Sequence, residues 1–365
     1  MRVKQEPPFV FPVFTGSGRS TEVMNAAIYR GIGRIGLQQV ERHPPPPGYV
    51  TIDTRQTGIC GSDLHAYRGH WPQPKALALG QETSGVVVEL GEGATGVEPG
   101  DRVAIECFSH CGRCRHCRSG HYNHCRERQW VSQDTHGGFA EFTTAHASAL
   151  FRLPASLSFE EGALVEPLAV GCRAVGQAGA TWRDRVVILG GGTIGQFCLA
   201  AARAANVRET WITVKYPQQA RMAQGLGADH VFVLGESDLE DWVSGLDQGP
   251  RPDAVIETVG GGGNFDLALR IVRPRGTVVL VAGYPEPVQV DLGRVLESEA
   301  VVTGSHCYAS TGLDTDFGAA IDLMASGRVD ATRLVTHRFP LEAVEEAFRV
   351  AADKSSGSIK VHLCQ

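Results

Sequence analysis

Two hydrophobic patterns alternate along the chain, and the change from one to the other divides it. Between Val186 and Leu189 four consecutive apolar residues, three of them β-branched, read as a strand buried on both faces. The run breaks at Gly190, and from Phe197 the apolar, alanine-rich spacing is that of a helix. Strand-like runs recur at 211–214, 230–234, 254–258, 276–282 and 301–304, with helical stretches at 218–226 and 265–272. This β/α alternation predicts a doubly wound parallel sheet. The earlier part differs. Short strands at 24–30, 49–58, 85–93 and 101–105 are separated by Gly/Pro turns, so 24–165 reads as a β-rich unit, a small partly closed barrel. Four prolines at 44–47 exclude helix or central strand there. A helical pattern covers 167–178, and beyond Phe317 come two amphipathic helices and a last strand at 358–363. Residues 1–23 mix Pro, Gly, Ser and Thr without periodicity. They predict a disordered lead-in, with folding from near Met24 and Met1 a candidate misassigned start.

Composition narrows the function classes. A chain of 365 residues with 42% hydrophobic content can bury two sizeable cores. Its net charge of −6 gives no electrostatic case for nucleic acid or an anionic membrane as partner. No apolar run approaches the roughly 20 residues of a membrane helix. The apolar patch at 9–14 is too short and too Pro-broken for a secretory signal. Ten cysteines are present, four of them crowded into one segment, which predicts metal binding in a reducing cytoplasm rather than disulfides.

Two motifs carry chemistry. Gly190-x-Gly192-x-x-Gly195, between a strand and a helix, is the setting in which glycines mean dinucleotide binding. Gly190 permits the turn, Gly192 lets backbone approach a pyrophosphate, and Gly195 lets helix pack on strand. Thr193 and Ile194 open the helix, whose free N–H groups suit phosphate. The second motif is Cys111-x2-Cys114-x2-Cys117-x7-Cys125. Four thiolates on one loop suit a closed tetrahedral zinc site. Arg113, Arg115, Arg118 and Arg126 around them would offset its negative charge. An iron–sulfur cluster or a redox centre is the alternative, with no other support in the loop.

Together with Gly58-Ile-Cys-Gly-Ser-Asp-Leu-His65, Gly80-Gln-Glu82, Gly137-Gly-Phe-Ala-Glu141 and Glu166-Pro167, these motifs resemble the zinc-dependent medium-chain dehydrogenase/reductase family, in its polyol and threonine dehydrogenase branch. The resemblance covers residue 24 to the end. It implies a GroES-like catalytic domain (24–167 and 305–365) interrupted by a Rossmann domain (168–304), and a dimer or tetramer. It also implies a small alcohol or ketone substrate and a second, catalytic zinc. Cys60, Glu82 and Glu166 would then be ligands of that zinc. Ser62 would hold the substrate hydroxyl, and His65 would pass its proton to solvent. Lys360 would be the basic residue near the pyrophosphate. Trp71, Trp130, His306 and Tyr308 match pocket positions, although such side chains are commonly just part of the core.

The chain departs from the family in one place. Gln81 stands where the family has a histidine ligand, and an amide is the poorer partner for Zn²⁺. Zinc held by Cys60, Gln81, Glu82 and Glu166, another metal, or an empty site with changed chemistry are the three outcomes. The changed chemistry would be metal-free reduction by NADPH, or cofactor binding without turnover. The nicotinamide is legible at the end of the second Rossmann strand. NAD enzymes carry an acid there, whereas this chain has Lys215, which favours NADP(H) over NAD(H). A solvated surface lysine is the plainer alternative, and Arg221 a weaker candidate for the same role.

Overall fold

The computed structural model describes residues 22–70, 77–246, 248–284, 286–311 and 314–365. The lead-in up to residue 21 and Trp71 lie outside them. Strand β1 (Glu22–Gly31) begins two residues before Met24 and pairs antiparallel with β2 (Arg34–Arg42). The second strand was hard to anticipate, because apolar alternation lapses at Gln38 and Gln39. Next come β3 (Tyr49–Gly58), helix α1 (Gly61–Tyr67), β4 (Glu82–Leu90), β5 (Arg102–Ile105), β6 (Phe142–His146) and β7 (Leu150–Arg152).

Helix α2 (Phe159–Ala178) starts eight residues before the expected Pro167, which it encloses. Its start is fixed by a capping box. The Ser158 hydroxyl accepts from the Glu161 amide, and Glu161 accepts from the Ser158 amide at 2.7 Å. These two reciprocal bonds and a buried face outweigh the break that Pro167 alone would predict.

The second unit alternates as its pattern predicts. Its strands are β8 (Arg185–Leu189), β9 (Glu209–Val214), β10 (His230–Val233), β11 (Ala254–Glu257), β12 (Thr277–Leu280) and β13 (Val301–Gly304). Helix α3 (Thr193–Ala204) follows β8, α4 (Pro217–Gly225) follows β9, and α5 (Leu292–Ser298) precedes β13. All six strands are parallel, in the order β10-β9-β8-β11-β12-β13. That is a Rossmann sheet, whose ligand crevice opens where the order reverses, at β8 and β11.

The chain then returns to the first unit. After β14 (Val335–Pro340) and α6 (Val344–Ala352), the last strand β15 (Lys360–Cys364) slots between β14 and β3. The resulting seven-stranded sheet runs β14-β15-β3-β4-β5-β7, with β6 also on β3, and among the described residues its path stays open. Helix α2 joins the units. Leu164 and Leu168 share one buried cluster with Phe108 from the first unit and Ile188 and Phe197 from the second. Each such side chain contributes about 1.5–3 kcal/mol.

Candidate active cleft and zinc lobe

The glycine turn is built as its motif requires. Gly190 has φ +104°, and a Cβ on Gly195 would lie 1.7 Å from the Gly190 carbonyl oxygen. Gly192 is the N-cap of α3 with no side-chain cap, and nothing lies within 4 Å of where its Cβ would be. The first-turn amides of Thr193, Ile194 and Gly195 are thus left to a phosphate. The Thr193 hydroxyl donates to the Ile359 carbonyl (2.6 Å), so the turn is docked against the residue before β15. Beyond β9 no acid replaces the missing one. The Gln219 side-chain oxygen accepts from the Lys215 and Tyr216 amides (3.0 and 3.2 Å), and the exposed Lys215 ammonium lies 5.6 Å from the Tyr216 ring centroid.

The four cysteines converge. Ligand atoms of Cys111, Cys114, Cys117 and Cys125 lie within 4.8 Å of one another. Sulfur separations are 3.4 Å (Cys114–Cys117), 3.6 Å (Cys111–Cys125) and 3.9 Å (Cys111–Cys117). A tetrahedron with Zn–S of about 2.3 Å has edges of about 3.8 Å, so the four sulfurs fit a zinc ion. The lobe also holds the wall beside it. Asn123 Nδ2 donates to the His306 carbonyl (2.9 Å), and the His124 and His306 rings stack at 6.4 Å.

The cleft set is arranged differently. Cys60 caps α1, and the Asp63 carboxylate, one turn on, accepts from the Cys60 amide at 2.8 Å. Burial pushes that carboxyl up to about 7. Gln81 Nε2 donates to Cys60 Sγ at 3.4 Å, occupying the sulfur with an amide where an imidazole would share a metal. Glu82 pairs with the Lys360 ammonium, both side chains 1% exposed. Lys360 also donates to the Ile59 carbonyl (3.0 Å). Gly58 makes room for the pair, since a Cβ there would lie 2.1 Å from Glu82 Oε2. Glu166, buried on α2, shares a hydrogen bond with the Cys107 thiol, and burial raises its carboxyl well above its ordinary value.

Among the described residues, the lobe alone gathers three or more Cys, His, Asp or Glu ligand atoms; Cys60, Glu82 and Glu166 do not form such a group. Burial, followed by the carboxylates of Glu82 and Glu166, pushes the Cys60 thiol well above its ordinary value. As placed, the Cys60 sulfur is engaged by Gln81 and Glu82 by Lys360, so these groups do not converge on one ion. Ser62 and His65 both lie on α1, half-buried, and His65 Nδ1 is 3.1 Å from Nδ1 of the exposed His70.

Family comparisons agree with this architecture. The alcohol dehydrogenase GroES-like domain matches residues 46–155, and the zinc-binding dehydrogenase domain matches 193–326. Sorbitol dehydrogenase of Halalkalibacterium halodurans is 34% identical over 339 residues, covering 91% of this chain and 96% of that one. The chain belongs to the zinc-binding alcohol dehydrogenase family. As a member it is an NAD(P)-dependent oxidoreductase of the medium-chain type. Among solved structures, the 2R,3R-butanediol dehydrogenase of Bacillus subtilis superposes with TM-score 0.82 at 29% identity, covering 94% of this chain and 99% of that one. A protein of Sinorhizobium meliloti described as a zinc-binding dehydrogenase, solved with NADP bound, gives 0.84 at 28%, covering 94% and 100%.

In this medium-chain dehydrogenase, sequence reading missed His70 and the meaning of Lys360. His70 lies five residues beyond His65, a spacing with no motif attached to it. Lys360 is fully buried at the start of β15. Its ammonium serves Glu82, while its neighbour Ile359 serves the glycine turn. Of the four pocket candidates, Tyr308 is fully buried and stacks on Phe108 at 5.6 Å, and Trp130 packs on the same ring.

Proposed function

We propose that this dehydrogenase moves hydride between a secondary hydroxyl of a polyol- or sugar-type substrate, or its ketone, and NADP(H). The observation that carries the cofactor choice is the end of β9, where Lys215 and the Gln219 amide stand in place of an acid. The substrate class is supported by the likeness to sorbitol dehydrogenase and butanediol dehydrogenase across nearly the whole chain. The nicotinamide supplies the hydride acceptor. The chain must handle the proton. Ser62, in the first turn of α1, is assigned to the substrate hydroxyl, and His65 to proton transfer outward through His70. Burial, then the neighbouring His70 and Arg68, lowers the His65 pKa, which favours the neutral imidazole as proton acceptor.

Steady-state kinetics with NADP⁺ and NAD⁺ on a panel of polyols and secondary alcohols tests this reading. Lys215→Asp should lower kcat/KM for NADP⁺ by about tenfold or more, the worth of roughly 1.4 kcal/mol of charge-assisted contact. It should leave kcat/KM for NAD⁺ equal or better. An unchanged NADP⁺/NAD⁺ ratio would show Lys215 to be a solvated surface residue.

A second reading, reduction by NADPH without a catalytic metal, is favoured by the Gln81–Cys60 contact. On it the chain carries one zinc, in the cysteine lobe.

For assembly we propose a homodimer through β13. This edge strand leaves Val301 56% and Val302 37% exposed, and the preceding helix α5 leaves Leu292 73% and Leu296 79% exposed. An uncovered apolar edge of this kind pairs with another strand or aggregates. Val302→Lys should convert a dimer to a monomer in sedimentation; a wild-type monomer would refute the interface. No described helix is long and apolar enough to cross a membrane.

A further inference from the structure

At the mouth of the Rossmann crevice, a buried carboxylate fastens two loops together. Glu257 ends β11 and is fully buried. One of its oxygens, Oε1, accepts from the Val259 and Gly260 amides, both at 2.7 Å. The other, Oε2, accepts from the Tyr284 hydroxyl at 2.7 Å. Val259 and Gly260 lie in the loop after β11 and Tyr284 in the loop after β12, so the carboxylate joins the two. The loops also touch directly. Gly260 has φ +87°, and a Cβ there would lie 2.9 Å from the Gly283 carbonyl oxygen. The first loop leans on the glycine turn as well. The Thr258 hydroxyl donates to the Leu189 carbonyl (2.8 Å), and a Cβ on Gly190 would lie 2.4 Å from Val259 Cγ2.

We propose that Glu257 and Tyr284 are positioning residues for the nicotinamide half of the cofactor, locking the loops after β11 and β12 in one relative setting before the cofactor binds. A doubly wound sheet takes a dinucleotide across its switch point, one mononucleotide on each half. The pyrophosphate goes to the glycine turn after β8 and the adenosine to the end of β9, which leaves the loops after β11 and β12 to the nicotinamide nucleotide. Neither Glu257 nor Tyr284 need touch it. They act through the backbone of Val259 and Gly260 and through the Gly283–Tyr284 segment. The inference rests on the chain's use of a nicotinamide dinucleotide and holds for NADP(H) and NAD(H) alike.

The arrangement suits a lock. A buried carboxylate is costly unless its oxygens are met, and here two amides and a hydroxyl meet them. Burial, then the Glu257 carboxylate, raises the half-buried Tyr284 phenol above its ordinary value, which keeps it a donor. Four successive glycines, 260–263, give the first loop little stiffness of its own, so its setting depends on these bonds. Without the Tyr284 hydroxyl, the two loops must be brought into register when the cofactor binds, at a cost in affinity.

Calorimetric titration of the full chain tests this, with NADPH and NADH and with ADP-ribose and its 2′-phosphate, which lack only the nicotinamide. Tyr284→Phe should weaken binding of the reduced cofactor by about fivefold or more, the worth of one hydrogen bond to a charged group. The matching ADP-ribose should bind as it does to the wild type. Glu257→Gln, which keeps the outline of the side chain but not its charge, should show the same selective loss. An equal loss for cofactor and ADP-ribose would mark the contact as general scaffolding, and an unchanged cofactor affinity would show the loops to be set without it; either result overturns the proposal. The comparison is read on whichever cofactor the wild type binds more tightly, so it stands even if the Lys215 assignment fails. Tyr284→Phe removes a single oxygen and decides even where the Glu257 variant fails to fold.

Discussion

Lys360→Met should destabilise this dehydrogenase by about 3–5 kcal/mol, the range for stranding one partner of a buried ion pair. Glu82 would be left without its counter-ion in a place that is 1% exposed, close against Gly58 of β3. A methionine fills the space of the lysine stem but supplies no charge. Urea denaturation should therefore show a lower midpoint with little change in slope. Adding Glu82→Gln should recover much of the loss, because the uncompensated charge goes with it. A Lys360→Met midpoint equal to wild type would mean that the buried pair adds nothing to stability. The same lysine also holds the Ile59 carbonyl next to Cys60, so the variant loosens the approach to α1 as well.

Gln81→His should raise the zinc content from one ion per chain to two. The wild-type lobe has converging sulfurs, while the cleft offers a Cys60 sulfur engaged by an amide and a Glu82 engaged by an ammonium. An imidazole on the first residue of that pair of neighbours would replace a hydrogen-bond donor with a metal ligand of the type zinc prefers. Metal analysis of both proteins, with Cys114→Ser as the control that empties the lobe, separates the sites. Two zinc ions in the wild type would sink the metal-free reading, and with it the claim that Gln81 closes the cleft to metal. One ion in both proteins would place the obstacle in Glu82 and Lys360 rather than in Gln81.

The parts that could be read from sequence are those written in short spacings. The glycine turn needs six consecutive positions, and the cysteine lobe fifteen, so each carries its own geometry. The parallel sheet was legible because each of its strands is an apolar run between turn residues. The start of α2 was hidden by Pro167, although Ser158 and Glu161 carry the capping signal three residues apart. Glu82 with Lys360, and Thr193 with Ile359, could not be read at all. Each contact depends on where a distant strand lands, and nothing local in either partner marks it.

Strand β15 also bears on how the protein is made. It lies inside the first sheet, between β14 and β3, and Lys360 reaches Ile59 across 301 positions of chain. A growing chain on the ribosome thus completes the Rossmann unit while its N-terminal sheet still lacks its last two strands, β14 and β15, and Glu82 its counter-charge. Contacts this remote slow folding and lengthen the time that sheet edges stand open to wrong partners. The N-terminal unit is synthesised first and finished last, so its yield should depend on chaperone holding during translation more than that of the unit nested within it.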